Sequence, residues 1–138
     1  MVIDTSILVA VILREKGYED LVFKMAEADA RYLSAASYLE ASVVLLKRRG
    51  EGVELDLDRL IYESEIVIIP VTAVHARIGR QAYRNYGKGN HPAKLNLGDC
   101  FSYALAKQMA AAITVDGPPN WLSNGTSSRQ PPAAPIRS

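Results

Sequence analysis

An α/β domain built on a parallel sheet is the fold class predicted by the order of apolar segments in this chain, and three observations carry it. Short runs rich in β-branched residues alternate with longer segments of helical period. One of those runs, Ile66 to Val71 (IVIIPV), is continuously apolar, the pattern of a strand buried on both faces. Four acidic residues, Asp4, Glu40, Asp99 and Asp116, each follow an apolar run or open a helical one, and in a parallel α/β sheet that is where strands end and ligands bind. The form expected is a three-layer α/β/α domain with a central parallel sheet of four or five strands, spanning residues 1–116. A Pro/Ser-rich, loosely ordered tail is expected over 117–138.

The elements follow in order. Met1 to Ile3 reads as a buried strand that runs straight into a short helix. Tyr18 to Ala30 has Leu21, Val22, Met25 and Ala26 at helical spacing, and Arg31 to Leu33 is a strand candidate. Ser37 to Arg49 reads as a helix with Leu39, Val43 and Leu46 inward, stopped by Gly50. Leu55, Leu57, Leu60 and Ile61 predict another across Glu54 to Ser64, followed by the Ile66 to Val71 strand. Thr72 to Tyr86 is helical and gives way to the turn-rich stretch from Gly87 to Pro92. Gly98 to Met109 is expected as a helix with Phe101, Leu105 and Ala106 inward, and Ala112 to Val115 as a last strand. Beyond Val115, five of the seven prolines crowd between Gly117 and Ser138, with Trp121 and Leu122 as candidate anchors.

Composition removes several function classes. A chain of 138 residues with 49% hydrophobic composition is one domain with enough apolar surface for a core. A net charge of +1 gives no global basic field, so any nucleic-acid contact must come from a local patch. The single cysteine, Cys100, excludes an internal disulfide and a multi-cysteine metal site, is read as a small core residue, and fits a reducing cytoplasm. Asp4 interrupts the first apolar run and Ile7 to Leu13 is too short to span a bilayer, so neither a signal peptide nor a membrane span is expected.

Carboxylates gathered at one point repel one another unless a cation neutralises them, and hard oxygen ligands suit Mg²⁺ or Mn²⁺. Convergence of the four acidic residues therefore points to metal-dependent phosphate chemistry. Each also has a structural reading. Asp4-Thr5-Ser6 is good N-cap material; Glu40 completes a capping box with Ser37; Asp99, after Asn96 and Gly98, favours the positive end of its own helix. Arg84, Lys88, His91 and Lys94 form a basic stretch with Tyr83 and Tyr86 interleaved, suited to single-stranded RNA, although an ordinary solvated loop has the same composition. His75 is expected on its helix at the surface or half-buried.

The segments VIDTS, SAASYLEAS, LNLGDCFSYALAK and ITVDG resemble the PIN-domain ribonucleases, and specifically the VapC toxins of toxin-antitoxin pairs, over Met1 to about Ala111. The resemblance implies a Mg²⁺-dependent endoribonuclease, a VapB-like antitoxin, an RNA substrate and a homodimer. It also implies that Asp4 and Asp99 hold the metal directly, while Glu40 and Asp116 hold its waters or a second ion. Toxins with this LN-x-GDC motif usually continue into a Gly-Asp-Asp-Phe-like turn, whereas here Asp116-Gly117-Pro118-Pro119 stands, and Thr114-Val115-Asp116 resembles the Thr-x-Asp strand end of other PIN proteins. Two other readings remain: a PIN scaffold that binds antitoxin or RNA without cleavage, and a phosphatase of the haloacid-dehalogenase type. The latter class needs an Asp two residues after the first, and Ser6 stands there.

Overall fold

The structure is a computed structural model and describes residues 1–113. Nine elements follow one another: β1 (Val2–Ile3), α1 (Thr5–Leu13), α2 (Tyr18–Glu27), β2 (Arg31–Ser34), α3 (Ala35–Arg49), α4 (Val53–Glu63), β3 (Ile66–Ile69), α5 (Ala73–Tyr86) and α6 (Leu97–Ile113). The strands form one parallel sheet in the order β1-β2-β3, with Ile3 level with Leu33 and Leu33 level with Ile68. Parallel neighbours need helical crossovers, and each successive pair of strands is joined by two helices. The α/β class and the parallel sheet are as expected.

The described residues hold three strands, not four or five. The last strand expected, Ala112 to Val115, is in part overturned: α6 runs four residues past Met109, through Ile113. The alanine run Ala110 to Ala112 carries strong helix propensity and continues the helix. Thr114, Val115, Asp116 and the tail lie outside the described residues. The strand after Glu65 is also shorter than expected, because Pro70 has no N–H to offer a ladder and pairing stops at Ile69.

The main core joins Ile3, Leu33 and Ile66 of the sheet to Leu8 and Val9 of α1, Met25 of α2, Ala41 and Leu45 of α3, and Leu57 and Ile61 of α4. The inward face of α3 differs from the expected one. Leu39 and Val43 are exposed, and Ser37, Ala41 and Leu45 are buried instead. This helix packs against α1, α4 and α6 as well as the sheet, and the small Ser37 and Ala41, one turn apart, let those neighbours approach. Val22, Ala26 and Leu55 likewise face outward, while Met25, Leu57 and Ile61 fill the interior. Periodicity alone does not choose between two apolar stripes on one helix.

Two polar devices fix the frame. Arg31, half-buried at the start of β2, donates to the carbonyls of Ala28 (2.7 Å) after α2 and Ser64 (2.6 Å) after α4, so one guanidinium satisfies the ends of both helices. At α5, Thr72 caps the first turn by accepting from the His75 amide at 3.2 Å. His75 itself is 2% exposed, more deeply buried than the surface or half-buried position expected, because its ring is enclosed between α5 and α6 and its Nε2 meets Gln108 Oε1. Cys100 is buried, as read from the sequence. No helix among the described residues is long and apolar enough to cross a membrane.

Candidate active site

Because all three strands run the same way, their carboxyl ends share one edge, and the chain places Asp4 directly after β1 there. Asp4 stands at the N-cap position of α1 in extended backbone, yet its side chain makes no cap hydrogen bond. Its oxygens are held otherwise: Oδ2 accepts from Ser6 Oγ at 2.9 Å and Oδ1 accepts from Ser102 Oγ at 3.0 Å. The capping reading of Asp4 therefore fails in detail. Ser102 is steadied in turn, because its hydroxyl lies 3.2 Å from that of Ser37, which is 1% exposed at the first turn of α3. Thr5 Oγ1 donates to the Ser37 carbonyl at 3.3 Å, so the ends of β1 and β2 and the side of α6 meet through hydroxyls.

Asp99 does cap its helix. Its Oδ2 accepts from the Asn96 amide and Asn96 Oδ1 accepts from the Asp99 amide, both at 2.9 Å, a reciprocal capping box that opens α6. The capping and ligand roles are compatible, because the bond leaves the other carboxylate oxygen unused among the described residues.

Glu40 is not in the capping box expected with Ser37. The N-cap of α3 is Ser34, whose hydroxyl accepts from the Ala36 amide at 3.3 Å, three residues earlier than that reading required. The Glu40 side chain instead reaches across to the first turn of α6 and lies against Gly98, where a Cβ would fall 2.7 Å from its Cδ. Only glycine leaves room for that carboxylate. Its negative charge sits beside the positive end of α6, which offsets part of the repulsion from Asp99.

Asp4 and Asp99 line one cleft of about 350 Å³ together with Leu95, Ser102, Tyr103 and Ala106. Four of these, Asp99, Ser102, Tyr103 and Ala106, recur at i, i+3, i+4 and i+7, so a single face of α6 forms the wall. That explains why Ala106, expected inward, is exposed, while Ala104 and Leu105 are buried and Phe101 is half-buried. Ser102 and Tyr103 were not singled out by sequence reasoning, although their spacing from Asp99 was a usable signal.

Among the described residues no three His, Cys, Asp or Glu side chains are grouped closely enough to enclose a metal ion. Mg²⁺ does not require such a cage: it is commonly held by one or two carboxylates, with water and substrate phosphate completing the shell. The donors on the cleft, two carboxylates and the Ser102 hydroxyl, are all oxygen and fit a hard cation. Asp116 lies outside the described residues.

Beside the cleft is the loop from Gly87 to Lys94. Lys88 donates its amide to the Leu95 carbonyl and Leu95 donates to the Tyr86 carbonyl, each at 2.9 Å, which closes the loop at its base. Gly87 is required there, because a Cβ would collide with the Tyr83 backbone. Lys88, His91 and Lys94 line a shallow cavity of about 510 Å³ over this loop. All three are exposed, as is Arg84 on the last turn of α5, which does not line the cavity. Near the cleft, burial and then the Asp99 charge push the Cys100 thiol up.

The PIN domain family model matches residues 1–117. Ribonuclease VapC28 of Mycobacterium tuberculosis is 48% identical over 107 residues, covering 77% of this chain and 80% of that protein. Ribonuclease VapC of Mycolicibacterium smegmatis is 48% identical over 117 residues, 85% of this chain and 91% of its own length. Ribonuclease VapC30 of Mycobacterium tuberculosis is 45% identical over 107 residues, 78% of this chain and 82% of its own. With a parallel sheet, Asp4 and Asp99 on one cleft at its carboxyl edge, and relatives of this identity over most of the sequence, the chain belongs to the PIN-domain family, among the VapC proteins.

Proposed function

We propose that the protein is a Mg²⁺-dependent endoribonuclease, with Mn²⁺ as a workable substitute, acting as the toxin of a toxin-antitoxin pair. The observation that carries this reading is the convergence of Asp4 and Asp99 on one cleft, with Asp4 released from helix capping. The ribonuclease names of the VapC relatives support it. Asp4 and Asp99 would hold the cation directly; Glu40, given room beside α6 by Gly98, and Asp116, within the family match, would hold its waters or a second ion. When bound, the cation lowers the pKa of a coordinated water and offsets charge developing on the phosphoryl oxygens.

The chain's own residues do the positioning. Ser6 and Ser102 fix both oxygens of Asp4, the capping box fixes Asp99, and Arg84, Lys88, His91 and Lys94 attract the RNA backbone. Neither histidine lines the cleft: His75 is enclosed between α5 and α6, and His91 is on the basic loop. Hydrolysis by water, leaving a 5′-phosphate and a 3′-hydroxyl, fits a cleft of this composition.

A ribonuclease of this kind, working in the cytoplasm, needs restraint. The partner proposed is a VapB-like antitoxin that covers the acidic cleft with a basic side chain, and the toxin is proposed to be a homodimer. The test is expression of the protein with and without the product of the adjacent gene. Growth arrest and RNA cleavage by the wild type, relieved by the neighbour's product and lost in Asp4→Asn, is the expected result. A wild type that is harmless, cuts no RNA with Mg²⁺ and binds no neighbouring product contradicts the toxin assignment.

A further inference from the structure

The acidic cleft repels the phosphates it has to receive, so something beside it must draw RNA in and hold it. Two features lie at the right place. Over the closed loop, Lys88, His91 and Lys94 present positive and polar groups around the cavity of about 510 Å³, and among the described residues neither lysine pairs with a carboxylate. Between that loop and the cleft stand two tyrosines from different helices. Tyr103 of α6 lines the cleft with Asp4 and Asp99, and its ring lies 6.2 Å from that of Tyr86, at the end of α5. Tyr86 in turn meets the His91 ring edge-on at 5.2 Å. Three rings thus lead from the loop to the carboxylates.

This row is not explained by packing alone. A tyrosine that served only to join α5 to α6 would be covered, as Ala82, Ala104 and Leu105 are, yet Tyr86 is 37% exposed and Tyr103 is half-buried at the cleft wall. The hydrogen bonds joining Tyr86, Lys88 and Leu95 hold the loop in register with the cleft, because Leu95 lines that cleft as well. A row of aromatic rings between a cationic grip and a reaction site matches how single-stranded nucleic acid is held: phosphates on the cations and unpaired bases on the rings.

We propose that Tyr86 and Tyr103 form a base-stacking subsite for single-stranded RNA, which seats an unpaired base beside the scissile phosphate while Lys88 and Lys94 hold the backbone upstream or downstream. The inference rests on the ribonuclease reading above and deepens it. Stacking on a ring face tolerates any base, so the subsite selects single strands over duplex without reading sequence.

The test uses the full chain carrying Asp4→Asn, to suppress cleavage, and a single-stranded RNA oligomer with 2-aminopurine at one position, whose fluorescence falls when the base stacks. Binding is expected to quench the probe. Tyr103→Ala or Tyr86→Ala should weaken binding about tenfold and abolish the quench, whereas Tyr→Phe at either position retains both. Lys88→Ala should lower the salt dependence of binding by about one phosphate contact and keep the quench. Duplex RNA of the same sequence should bind at least tenfold more weakly than the single strand. If either alanine variant binds and quenches as its parent does, the subsite is overturned; a phenylalanine variant that fails to rescue overturns the stacking role and points to the hydroxyl. Tyr86, being exposed, serves as the second variant should Tyr103→Ala fail to fold. The ribonuclease reading fails separately, by a wild type that does not cleave; a wild type that cleaves beside tyrosine variants of undiminished binding fells the subsite alone.

Discussion

Asp4 is positioned by groups that nothing about its own neighbourhood in sequence reveals. Ser6 is two residues away, but the second donor, Ser102, is 98 residues distant and is itself steadied by buried Ser37. Removing the Ser102 hydroxyl leaves Asp4 held on one side, and a carboxylate displaced by a fraction of an ångström to one ångström costs a positioned reaction about 10- to 100-fold in rate. Ser102→Ala is therefore expected to lose activity by that amount with little loss of stability, and Ser102→Thr to recover most of it; equal activity in all three proteins would show that Ser102 does not position Asp4. Gly98 gives a sharper contrast. A methyl group there pushes the end of the flexible Glu40 side chain aside while adding helix propensity, so Gly98→Ala should unfold at the same or slightly higher temperature and yet lose activity as Glu40→Gln does. The meeting of Asp4 and Asp99 on one cleft was legible in the sequence because the first follows an apolar run and the second opens a helix; Ser102 and Tyr103 were not, since their importance comes from a helix face whose direction only packing decides.

At the scale of elements, α3 and α4 are joined by a polar contact over the core. The Tyr38 hydroxyl donates to Asp58 Oδ1 at 2.5 Å, and burial, that hydrogen bond and the charges of Asp58 and Glu54 push the Tyr38 pKa up from 10.0 to about 12. The folded state thus favours the neutral phenol. Its contribution to stability is complete below pH about 10 and is lost as the pH rises toward about 12. Denaturant midpoints measured across that window should fall more steeply for the wild type than for Tyr38→Phe; parallel curves would show that the contact does not contribute. The elements themselves were largely readable from period and punctuation: six helices and three strands form within a few residues of the expected places. Their inward faces were less so. In α3, Leu39 and Val43 looked like the core stripe, but the crowding of α1, α4 and α6 against one helix selects the smaller Ser37 and Ala41.

For the whole molecule, the parallel sheet follows from alternation of strand and helix, and the cleft at its carboxyl edge follows from the direction of the strands. What alternation did not reveal is the length of α6, which continues through an alanine run where a strand was expected. The family match explains why short motifs were enough to anticipate the fold, since VIDTS, SAASYLEAS and LNLGDCFSYALAK lie at the places where the chain converges: the end of β1, the start of α3 and the first turn of α6. The basic loop and the acidic cleft then make one surface with opposite charges at its two ends, and the central claim is that RNA laid along it is hydrolysed at a cation held by Asp4 and Asp99. The most direct measurement is end-group analysis of RNA cut by the purified wild type, with and without excess EDTA and beside Asp4→Asn. The account predicts fragments with 5′-phosphate and 3′-hydroxyl ends, and loss of cleavage both in EDTA and in the variant. Cleavage that persists in EDTA, or fragments ending in a 2′,3′-cyclic phosphate, would contradict it and direct attention to acid-base chemistry by a histidine instead.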